Sequence, residues 1–309
     1  MKQNRILVAG GAGFIGSHLC QTLLNKGHFI ICLDNLVTGD KKNIQTLLDN
    51  PKFQFIKGDT RTFSFDEEVD EIYDLASPAS VTYVSEHPVE AATSNSIGTK
   101  NLLDLAHVKG AAFLFASSSE AYGDPKVHPQ PETYWGNVNP VGIRSGYDEG
   151  KRFGEALTMA YVREKKVKGK IVRIFNTYGP HSSHNDSRVI PRFVAKALKN
   201  DPIPVHGDGT QTRSFCYVSD MVEGLVAMME SQENGPINLG NPEEYRIVDV
   251  AKKIIEMTGS SSTLSYGPRP SDDPARRMPD ITLAKKKLNW EPSISLEVGL
   301  HRTIEYFRS

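Results

Sequence analysis

The hydrophobic positions of the first 175 residues alternate between short continuous runs and longer stretches with helical spacing. Short continuous runs are typical of strands buried on both faces of a parallel sheet, and the helical stretches, such as Phe14–Leu24 and Pro88–Lys109, would cover those faces. This alternation predicts an α/β fold built on a doubly wound parallel sheet. The predicted strands are Arg5–Ala9, Phe29–Leu33, Phe53–Lys57, Glu71–Leu75, Ala111–Ala116 and Lys170–Phe175.

Beyond Pro180 strands no longer alternate regularly with helices, and proline, glycine, histidine and aspartate become frequent. This change predicts a first domain at residues 1–175 and a smaller α/β lobe at 176–309, with a segment near 218–240 that returns to the first domain. Ile203–His206 followed by Gly207-Asp208-Gly209 predicts a hairpin. The proline-rich loop 268–280 is expected to be irregular and functional. Helices are predicted at Arg192–Leu198, Val222–Met229, Ile247–Met257 and Leu296–Phe307.

A glycine-rich turn, Gly10-Gly11-Ala12-Gly13-Phe14-Ile15-Gly16, stands between the first predicted strand and the first predicted helix. Glycine permits a tight turn and lets a pyrophosphate approach the backbone amides at the helix N-terminus. The order of strand, turn and helix therefore predicts a Rossmann-type dinucleotide site rather than a simple turn. The predicted contacts within this motif are Gly10, Gly13, Phe14, Ile15 and Gly16.

An acid at the end of the second strand indicates which dinucleotide binds. Asp34 lies 18 residues after Gly16, where a carboxylate hydrogen-bonds the adenosine ribose. It would repel a 2′-phosphate, and no arginine follows within 35–39, so NAD is favoured over NADP even though lysines follow at 41 and 42. Asp59 is interpreted either as a contact to the adenine amine or as the cap of a turn. Further predicted cofactor contacts are Asn35, Leu75 and Asn95.

Tyr147 and Lys151 are spaced to lie side by side on one face of a helix. A lysine ammonium beside a phenol favours the phenolate, so the tyrosine can act as a general base on a sugar hydroxyl. Tyr161 and Lys165 have the same spacing, but on the same helix they would sit ~21 Å further along, and we interpret them as structural. The first pair therefore needs partners before it indicates catalysis.

The loop after the fifth strand supplies candidate partners. It reads Ser117-Ser118-Ser119-Glu120-Ala121-Tyr122-Gly123, and three serines and an acid at the end of a strand are unusual. In a parallel sheet this loop and the Tyr147 helix should flank one cofactor ring, with Ser118 as the hydroxyl partner of the tyrosine. The alternative is a polar turn without a catalytic role. In the second lobe, Arg213 suits a diphosphate or else forms a surface salt bridge.

Composition narrows the remaining classes of function. The 309 residues are 39% hydrophobic and 24% charged with a net charge of −1, which gives no electrostatic signature of nucleic-acid or membrane binding. Three cysteines, at 20, 32 and 216, lack metal-binding spacing, and His181 and His184 lack a supporting acid, so no metal is predicted. The cysteines, together with the lack of a signal pattern or a long apolar run, predict a cytoplasmic protein.

Over residues 5–308 the sequence resembles the extended short-chain dehydrogenase/reductase family that acts on nucleotide sugars, and within it the group that decarboxylates UDP-glucuronate. The resemblance is carried by His128–Pro140, Arg144–Arg152, Asn176–Pro180, Gln211–Val218 and Asp272–Asp280. It implies an NAD-dependent carboxy-lyase that converts UDP-glucuronate to UDP-xylose, and a homodimer formed through a helix pair. It implies catalytic roles for Tyr147, Lys151, Ser118, Ser119, Glu120 and Arg277, and UDP-sugar contacts from Asn176, Arg188, Gln211, Arg213 and Arg277.

The chemistry of the implied substrate indicates the reaction. Oxidation at C4, with Tyr147 taking the proton, makes a β-keto acid that loses carbon dioxide through an enolate, and Arg277 is the expected neighbour of that enolate. Glu120, or a water that it positions, would reprotonate C5 before the 4-ketone is reduced. Glu120 can donate as an acid only if its pKa is raised.

Three alternatives make different demands on the same residues. A UDP-sugar 4-epimerase needs no carboxylate at position 120, and a nucleotide-sugar 4,6-dehydratase has an aspartate where Ser119 stands. A catalytically silent dinucleotide-binding module would not need Tyr147, Lys151 and Ser118 together. Glu120 and Arg277 therefore favour the decarboxylase.

Overall fold

The computed structural model describes residues 3–269 and 276–309. In its first part, strands and helices alternate as the hydrophobic pattern predicts. Short 3₁₀ helices at Lys41–Leu47 and Ser119–Tyr122 and a π-helix at Ser94–Gly98 stand between the regular elements. Those regular elements are β1 Arg5–Ala9, α1 Phe14–Asn25, β2 Phe29–Asp34, β3 Phe53–Lys57, β4 Glu71–Asp74, α2 Val81–Glu86, α3 Pro88–Thr93, α4 Thr99–Lys109, β5 Ala112–Ser118, α5 Ser145–Lys165 and β6 Lys168–Ile174.

From residue 175 onward the strands are short and their order is irregular. These elements are β7 Thr177–Tyr178, α6 Val189–Leu198, β8 Ile203–His206, β9 Thr212–Ser214, β10 Cys216–Tyr217, α7 Val218–Glu230, β11 Ile237–Leu239, β12 Glu244–Arg246, α8 Ile247–Thr258, β13 Leu264–Gly267, β14 Arg276–Arg277, α9 Thr282–Leu288 and α10 Leu296–Arg308.

A seven-stranded parallel sheet organises the molecule, with the order β11-β6-β5-β4-β1-β2-β3. Ala9 at the end of β1 is in register with Leu33 on one side and Asp74 on the other. The connections run outward in opposite directions from β1 and β4, so a crevice opens beyond the carboxyl ends of these two strands. Asp34 and Ser118, which end β2 and β5, lie at the same edge of the sheet.

Helices cover both faces of the sheet because its strands are apolar on both sides. Ile6 and Val8 of β1 lie in the hydrophobic cluster that includes α1 and α7. Leu7 and Ala9 lie in the opposite cluster, with α4 and α5. Helix α5 packs very closely on β5, since a Cβ at Gly154 would clash with the Phe115 ring. The sheet therefore fixes the helix that carries Tyr147 and Lys151.

Residues 218–240 pack against the large sheet. Helix α7 packs on α1, and β11 pairs in parallel with β6 as the edge strand. Within α7 the buried Asp220 accepts hydrogen bonds from the amides of Ser293 and Ile294, which fixes the chain that leads into α10. The C-terminal helix is thereby held on the same side as α1.

The prediction of a hairpin at residues 203–209 is wrong. Strand β8 pairs in parallel with β13, 61 residues further on, whereas β9 pairs with β12 and β14. The glycines of the intervening turn, Gly207 and Gly209, have φ of 60° and 77°, and the turn directs the chain into a different small sheet.

The single helix expected over Pro88–Lys109 is interrupted by the π-helix, which separates α3 from α4. In the proline-rich loop expected at 268–280, residues 270–275 lie outside the described residues. The described part of that loop contains the short strand β14, which pairs with β9.

Candidate active site

A cavity of about 860 Å³ opens at the carboxyl edge of the sheet, above β1 and β4. Most of the residues that the sequence singles out line it. From the cofactor set they are Gly10, Gly13, Phe14, Ile15, Gly16, Asp34, Asn35, Asp59 and Leu75; from the catalytic set, Ser118, Ser119, Glu120, Tyr147 and Lys151; from the substrate set, Asn176 and Arg188.

The glycine turn is shaped to receive a dinucleotide. Gly10 has φ of 76°, and a Cβ there would lie 2.6 Å from the Leu75 carbonyl oxygen. Gly13 precedes α1 without a side-chain cap, so the first amides of that helix are left to bind a pyrophosphate. These features fit the phosphates of NAD at this end of the cavity.

Asp34 both supports the turn and borders the cavity. Its carboxylate accepts hydrogen bonds from the amides of Ala12, at 3.0 Å, and Leu36, at 2.8 Å. Burial raises the pKa of Asp34, and hydrogen bonds from the amides of Leu36, Ala12 and Gly13 oppose that rise. A carboxylate has about four acceptor positions, so it can still accept a hydrogen bond from a ribose hydroxyl.

Asp59 caps its own turn and borders the cavity at the same time. Its Oδ1 accepts the Arg61 amide, and the Arg61 side chain, hydrogen-bonded to Asp59, lowers the pKa of that carboxyl to about 2. The remaining oxygen accepts Asn35 Nδ2 at 3.2 Å. The turn-cap interpretation therefore describes the contacts within the protein, and a contact to adenine remains a prediction.

The structure does not bring Asn95 to the cavity. Its side chain is buried in the π-helix and donates from Nδ2 to the Ala91 carbonyl at 2.8 Å. The preceding residue, Ser94, lines the cavity instead. A direct cofactor contact from Asn95 therefore remains a prediction that the lining of the cavity does not support.

Tyr147 and Lys151 lie side by side in the first two turns of α5, as their spacing predicts. Lys151 Nζ is 5.7 Å from the centre of the Tyr147 ring and donates to the Ala116 carbonyl at 2.8 Å. The second pair is also on α5, but the Tyr161 hydroxyl donates to Asp104 on α4, away from the cavity. Of the two pairs, only Tyr147 and Lys151 face the site.

The phenolate that Lys151 was expected to favour is not the resting form of Tyr147 in the protein alone. Burial raises the pKa of Tyr147 to about 12, and the hydrogen bond with Ser118 only partly opposes this rise. The carboxylates of Glu120 and Asp148 raise that pKa further. Burial also lowers the pKa of Lys151 to about 8, although Asp74 opposes this. In the protein alone, Tyr147 is therefore a protonated phenol at neutral pH.

Glu120 lies between two arginines at the cavity wall. Arg144 Nη2 is 2.7 Å from its Oε2, and Arg277 Nη1 donates to its Oε1. Burial alone would raise the pKa of Glu120, but the charges of Arg277 and Arg144 outweigh it and hold the pKa below its usual value. Glu120 is thus ionised at rest, contrary to the raised pKa that a resting acid needs.

Arg277 is distant in sequence but is held against Glu120 by β14. Its side chain is 3% exposed, and Nη2 donates to the Gly123 carbonyl at 2.8 Å. Among the described residues its Nε, also buried, has no hydrogen-bond partner. Arg277 does not itself border the main cavity, but it contacts Glu120, which does.

The remaining substrate-set residues occupy the second lobe. Arg213 on β9 is in register with Arg277, and its charge contributes to lowering the pKa of Glu120. Its Nη1 donates to the Thr212 carbonyl at 2.8 Å, and Gln211 Nε2 donates to the His206 carbonyl at 2.9 Å. Neither Gln211 nor Arg213 borders the main cavity, whereas Asn176 and Arg188 do. UDP contacts from Gln211 and Arg213 remain predictions.

Two residues of the site have no role in the sequence-based account. Arg144 bridges Glu120 and, more loosely, Asp148, the residue that follows Tyr147. Their i,i+4 spacing at the start of a helix is the signal that could have indicated them. Burial and the charge of Glu120 raise the pKa of Asp148 to about 7.

Sequence and structure comparisons agree with this geometry. Residues 6–240 match the model of the NAD dependent epimerase/dehydratase family. The chain is 51% identical to UDP-glucuronic acid decarboxylase 1 of Arabidopsis thaliana, over 100% of this chain and 71% of that protein. It is 48% identical to UDP-glucuronic acid decarboxylase 1 of Xenopus tropicalis, over 99% of this chain and 72% of that protein.

Solved structures of nucleotide-sugar epimerases share the whole fold. The UDP-glucose 4-epimerase of Thermotoga maritima, with UDP-glucose, has a TM-score of 0.91 at 33% identity, covering 98% of both chains. The UDP-glucuronic acid 4-epimerase of Bacillus cereus, in complex with UDP-glucuronic acid and NAD, has a TM-score of 0.89 at 31% identity. That match covers 98% of this chain and 99% of the epimerase.

Proposed function

Because this chain belongs to the NAD dependent epimerase/dehydratase family, we propose that it converts UDP-glucuronate to UDP-xylose by NAD-dependent decarboxylation. The observation that carries the proposal is the buried pair of Glu120 and Arg277 beside Tyr147. Relatives at about 50% identity along the whole chain, named UDP-glucuronic acid decarboxylases, support it. The Bacillus cereus neighbour binds UDP-glucuronic acid in the same fold.

Oxidation of the sugar at C4 is the first step and depends on Tyr147. The glycine turn and Asp34 would hold NAD, which would accept the hydride from C4 and return it in the last step. Tyr147 takes the proton of the C4 hydroxyl, and Ser118 keeps the phenol oriented by a hydrogen bond. Lys151 adds a positive charge beside the phenol, and a bound oxidised cofactor would add another, so that both would favour the deprotonated form of Tyr147.

The arginines beside Glu120 suit the second step, loss of carbon dioxide. A ketone at C4 makes the C5 carboxylate that of a β-keto acid, whose bond to C5 breaks as negative charge moves toward the C4 oxygen. Arg277 lies behind Glu120 and has a buried N–H without a partner among the described residues, so we propose that its positive charge stabilises the enolate. Glu120 keeps Arg277 and Arg144 at the cavity by two ion pairs. C5 is then protonated and the ketone is reduced.

A 4-epimerase is the second candidate, since the solved neighbours at TM-scores of 0.89 to 0.91 include two such enzymes. Tyr147, Lys151 and Ser118 serve an epimerase equally well. Epimerisation does not require a carboxylate between the buried Arg277 and the half-buried Arg144, because that reaction forms no charge at C5. Ser119, where a 4,6-dehydratase has an aspartate, leaves that reaction without its acid.

Product analysis tests the proposal directly. Purified protein incubated with UDP-glucuronate and a catalytic amount of NAD, without NADH, is expected to release carbon dioxide and to form UDP-xylose. Proton NMR of the sugar distinguishes this product from UDP-galacturonate. Formation of UDP-galacturonate without gas would support the 4-epimerase and reject the decarboxylase, and no turnover with NAD but turnover with NADP would reject the cofactor assignment.

We propose that the two lobes bind different molecules. Residues 1–175, with the segment 218–240, hold the cofactor, and residues 176–309 hold the nucleotide of the substrate. Asn176 and Arg188, which line the cavity from the second lobe, support this division.

A cytoplasmic location remains a prediction, supported by the free and buried state of Cys20, Cys32 and Cys216. None of the helices in the described ranges has the length and apolar character needed to cross a membrane.

A homodimer through α5 is proposed because this part of the surface is apolar. Val89 on α3, Ile97 on the π-helix and Phe153 on α5 are 75%, 52% and 50% exposed, and their helices pack together. Exposed apolar residues on adjoining helices mark an association surface. We expect Phe153→Asp to sediment as a monomer while the native chain sediments as a dimer. Val298→Asp, on the exposed side of α10, is the matched control, and a Phe153→Asp variant that stays dimeric would reject this surface.

A further inference from the structure

Asp148 is buried beside the catalytic tyrosine, yet it faces a different cavity. Its side chain lies in the first turn of α5 and is 8% exposed. It borders a second cavity of about 330 Å³, formed also by Gly123, Asp124, Asn137, Val138, Asn139, Gly142 and Arg144. Within residues 3–269 and 276–309, its Oδ1 has no hydrogen-bond partner. A buried carboxyl oxygen without a partner lowers the stability of the fold, so its presence calls for a functional explanation.

Arg144 connects this second cavity with the main one. It borders both, and its Nη2 contacts Glu120 Oε2 at 2.7 Å while its Nε is 4.0 Å from Asp148 Oδ2. The Arg144 guanidinium is thus shared by two carboxyl groups, and its contact with Glu120 is the shorter one. The two acids are electrostatically linked, so a proton on one affects the other.

The proposed reaction needs a proton that Tyr147 does not supply. Replacing a carboxylate by hydrogen with release of carbon dioxide consumes one proton per turnover, which must enter from solvent and arrive at C5. The proton that Tyr147 removes from the C4 hydroxyl returns to the C4 oxygen when the ketone is reduced. Glu120 is ionised at rest and does not store the missing proton.

We propose, on the basis of the function proposed above, that Asp148 stores the proton that protonates C5 and delivers it through Glu120. The O–H bond of Asp148 breaks as an O–H bond forms on Glu120. That bond breaks in turn when the electron pair of the enolate forms the C5–H bond. Asp148 then regains a proton from water in the second cavity, and both carboxyl groups are restored. Asp148 is thus a positioning residue for the proton and acts through Glu120.

The charges around Asp148 fit this role. Glu120 and Glu149 favour its protonated form, Arg144 and Arg277 oppose it, and Asp124 borders the same cavity. With burial, these groups raise the pKa of Asp148 to about 7. Since the protonated form is the active one, C5 protonation is fast below that value and slows as the pH rises through it.

The test compares Asp148→Asn with Glu164→Gln, a control near the other end of the same helix, whose side chain is 72% exposed. Asparagine has the same shape but carries no transferable proton. At pH 7 we expect kcat for UDP-xylose formation to fall about 10- to 100-fold in Asp148→Asn with KM nearly unchanged, and the solvent isotope effect on kcat to rise. The alkaline decline of kcat near pH 7 should be present in the native chain and the control and absent in Asp148→Asn.

Asp148→Glu keeps an ionisable group and is expected to retain the alkaline decline of kcat at a displaced pH. This second variant keeps the proposal testable if Asp148→Asn does not fold. If the native chain forms UDP-xylose but Asp148→Asn keeps the same pH profile and isotope effect, the proton store is rejected while the proposed function stands. If the native chain forms no UDP-xylose, the proposed function fails and the role of Asp148 fails with it.

Discussion

Replacing Tyr147 by phenylalanine is expected to lower kcat for UDP-xylose formation about 1,000-fold, while binding of NAD and UDP stays within about twofold. The ring is buried and keeps its packing in the variant, so only the hydroxyl that takes the C4 proton is lost. Because oxidation at C4 precedes loss of carbon dioxide, the variant should also form no NADH in a single turnover. Absorbance of NADH after mixing enzyme, NAD and substrate measures this step.

Tyr161→Phe is the matched control for that experiment. Tyr161 and Lys165 repeat the spacing of the catalytic pair on the same helix, but the Tyr161 hydroxyl contacts Asp104 instead of the cavity. Its loss should leave kcat nearly unchanged. Equal losses of activity in the two variants would show that the effect comes from disturbing α5, and full activity of Tyr147→Phe would remove the general base from the mechanism.

Replacing Glu120 by glutamine is expected to lower kcat for UDP-xylose about 100-fold, with little change in the dissociation constant of UDP. The amide keeps the size of the side chain but removes the negative charge that Arg144 and Arg277 contact, and it cannot relay a proton. Oxidation at C4 should persist, because Tyr147 and Ser118 are intact. We therefore expect bound NADH to accumulate in this variant, which separates it from Tyr147→Phe.

Glu244→Gln provides a control for the loss of an ion pair near the same strands. Glu244 pairs with Arg276, the neighbour of Arg277, but does not line the main cavity. Its substitution should change kcat less than threefold, as is usual for a partly exposed pair. Unchanged product formation by Glu120→Gln would reject the assigned role of Glu120.

The hydrophobic runs predicted the parallel sheet well because each run is buried on both faces, so burial and sequence pattern coincide. The structure has strands at every predicted run in the first domain, with ends that differ by up to two residues. The hairpin at 203–209 was wrong because a glycine turn specifies a local bend but not the partner strand. The partner of β8, 61 residues away, follows from tertiary packing.

The site was predictable as a set of residues but less so as a set of charges. Tyr147, Lys151, Ser118 and Glu120 meet at one cavity, as their positions at strand and helix ends indicate. Their protonation depends on burial and on the full arrangement of neighbours. Spacing rules omit both, so they missed the resting phenol of Tyr147 and left the charge of Glu120 open. A role for Arg144 and Asp148 could not be predicted, because it depends on the position of Glu120 in the folded chain.

Turnover of UDP-glucuronate labelled with ¹³C at C6, carried out in D₂O, tests the central claim most directly. We expect one equivalent of ¹³CO₂ for each UDP-xylose formed, one deuterium at C5 from solvent, and none at C4 because the hydrogen removed there is returned. Mass spectrometry of the gas and NMR of the sugar measure all three. A UDP-hexuronate product that retains the ¹³C label, inverted at C4 and without deuterium at C5, would contradict decarboxylation and identify an epimerase.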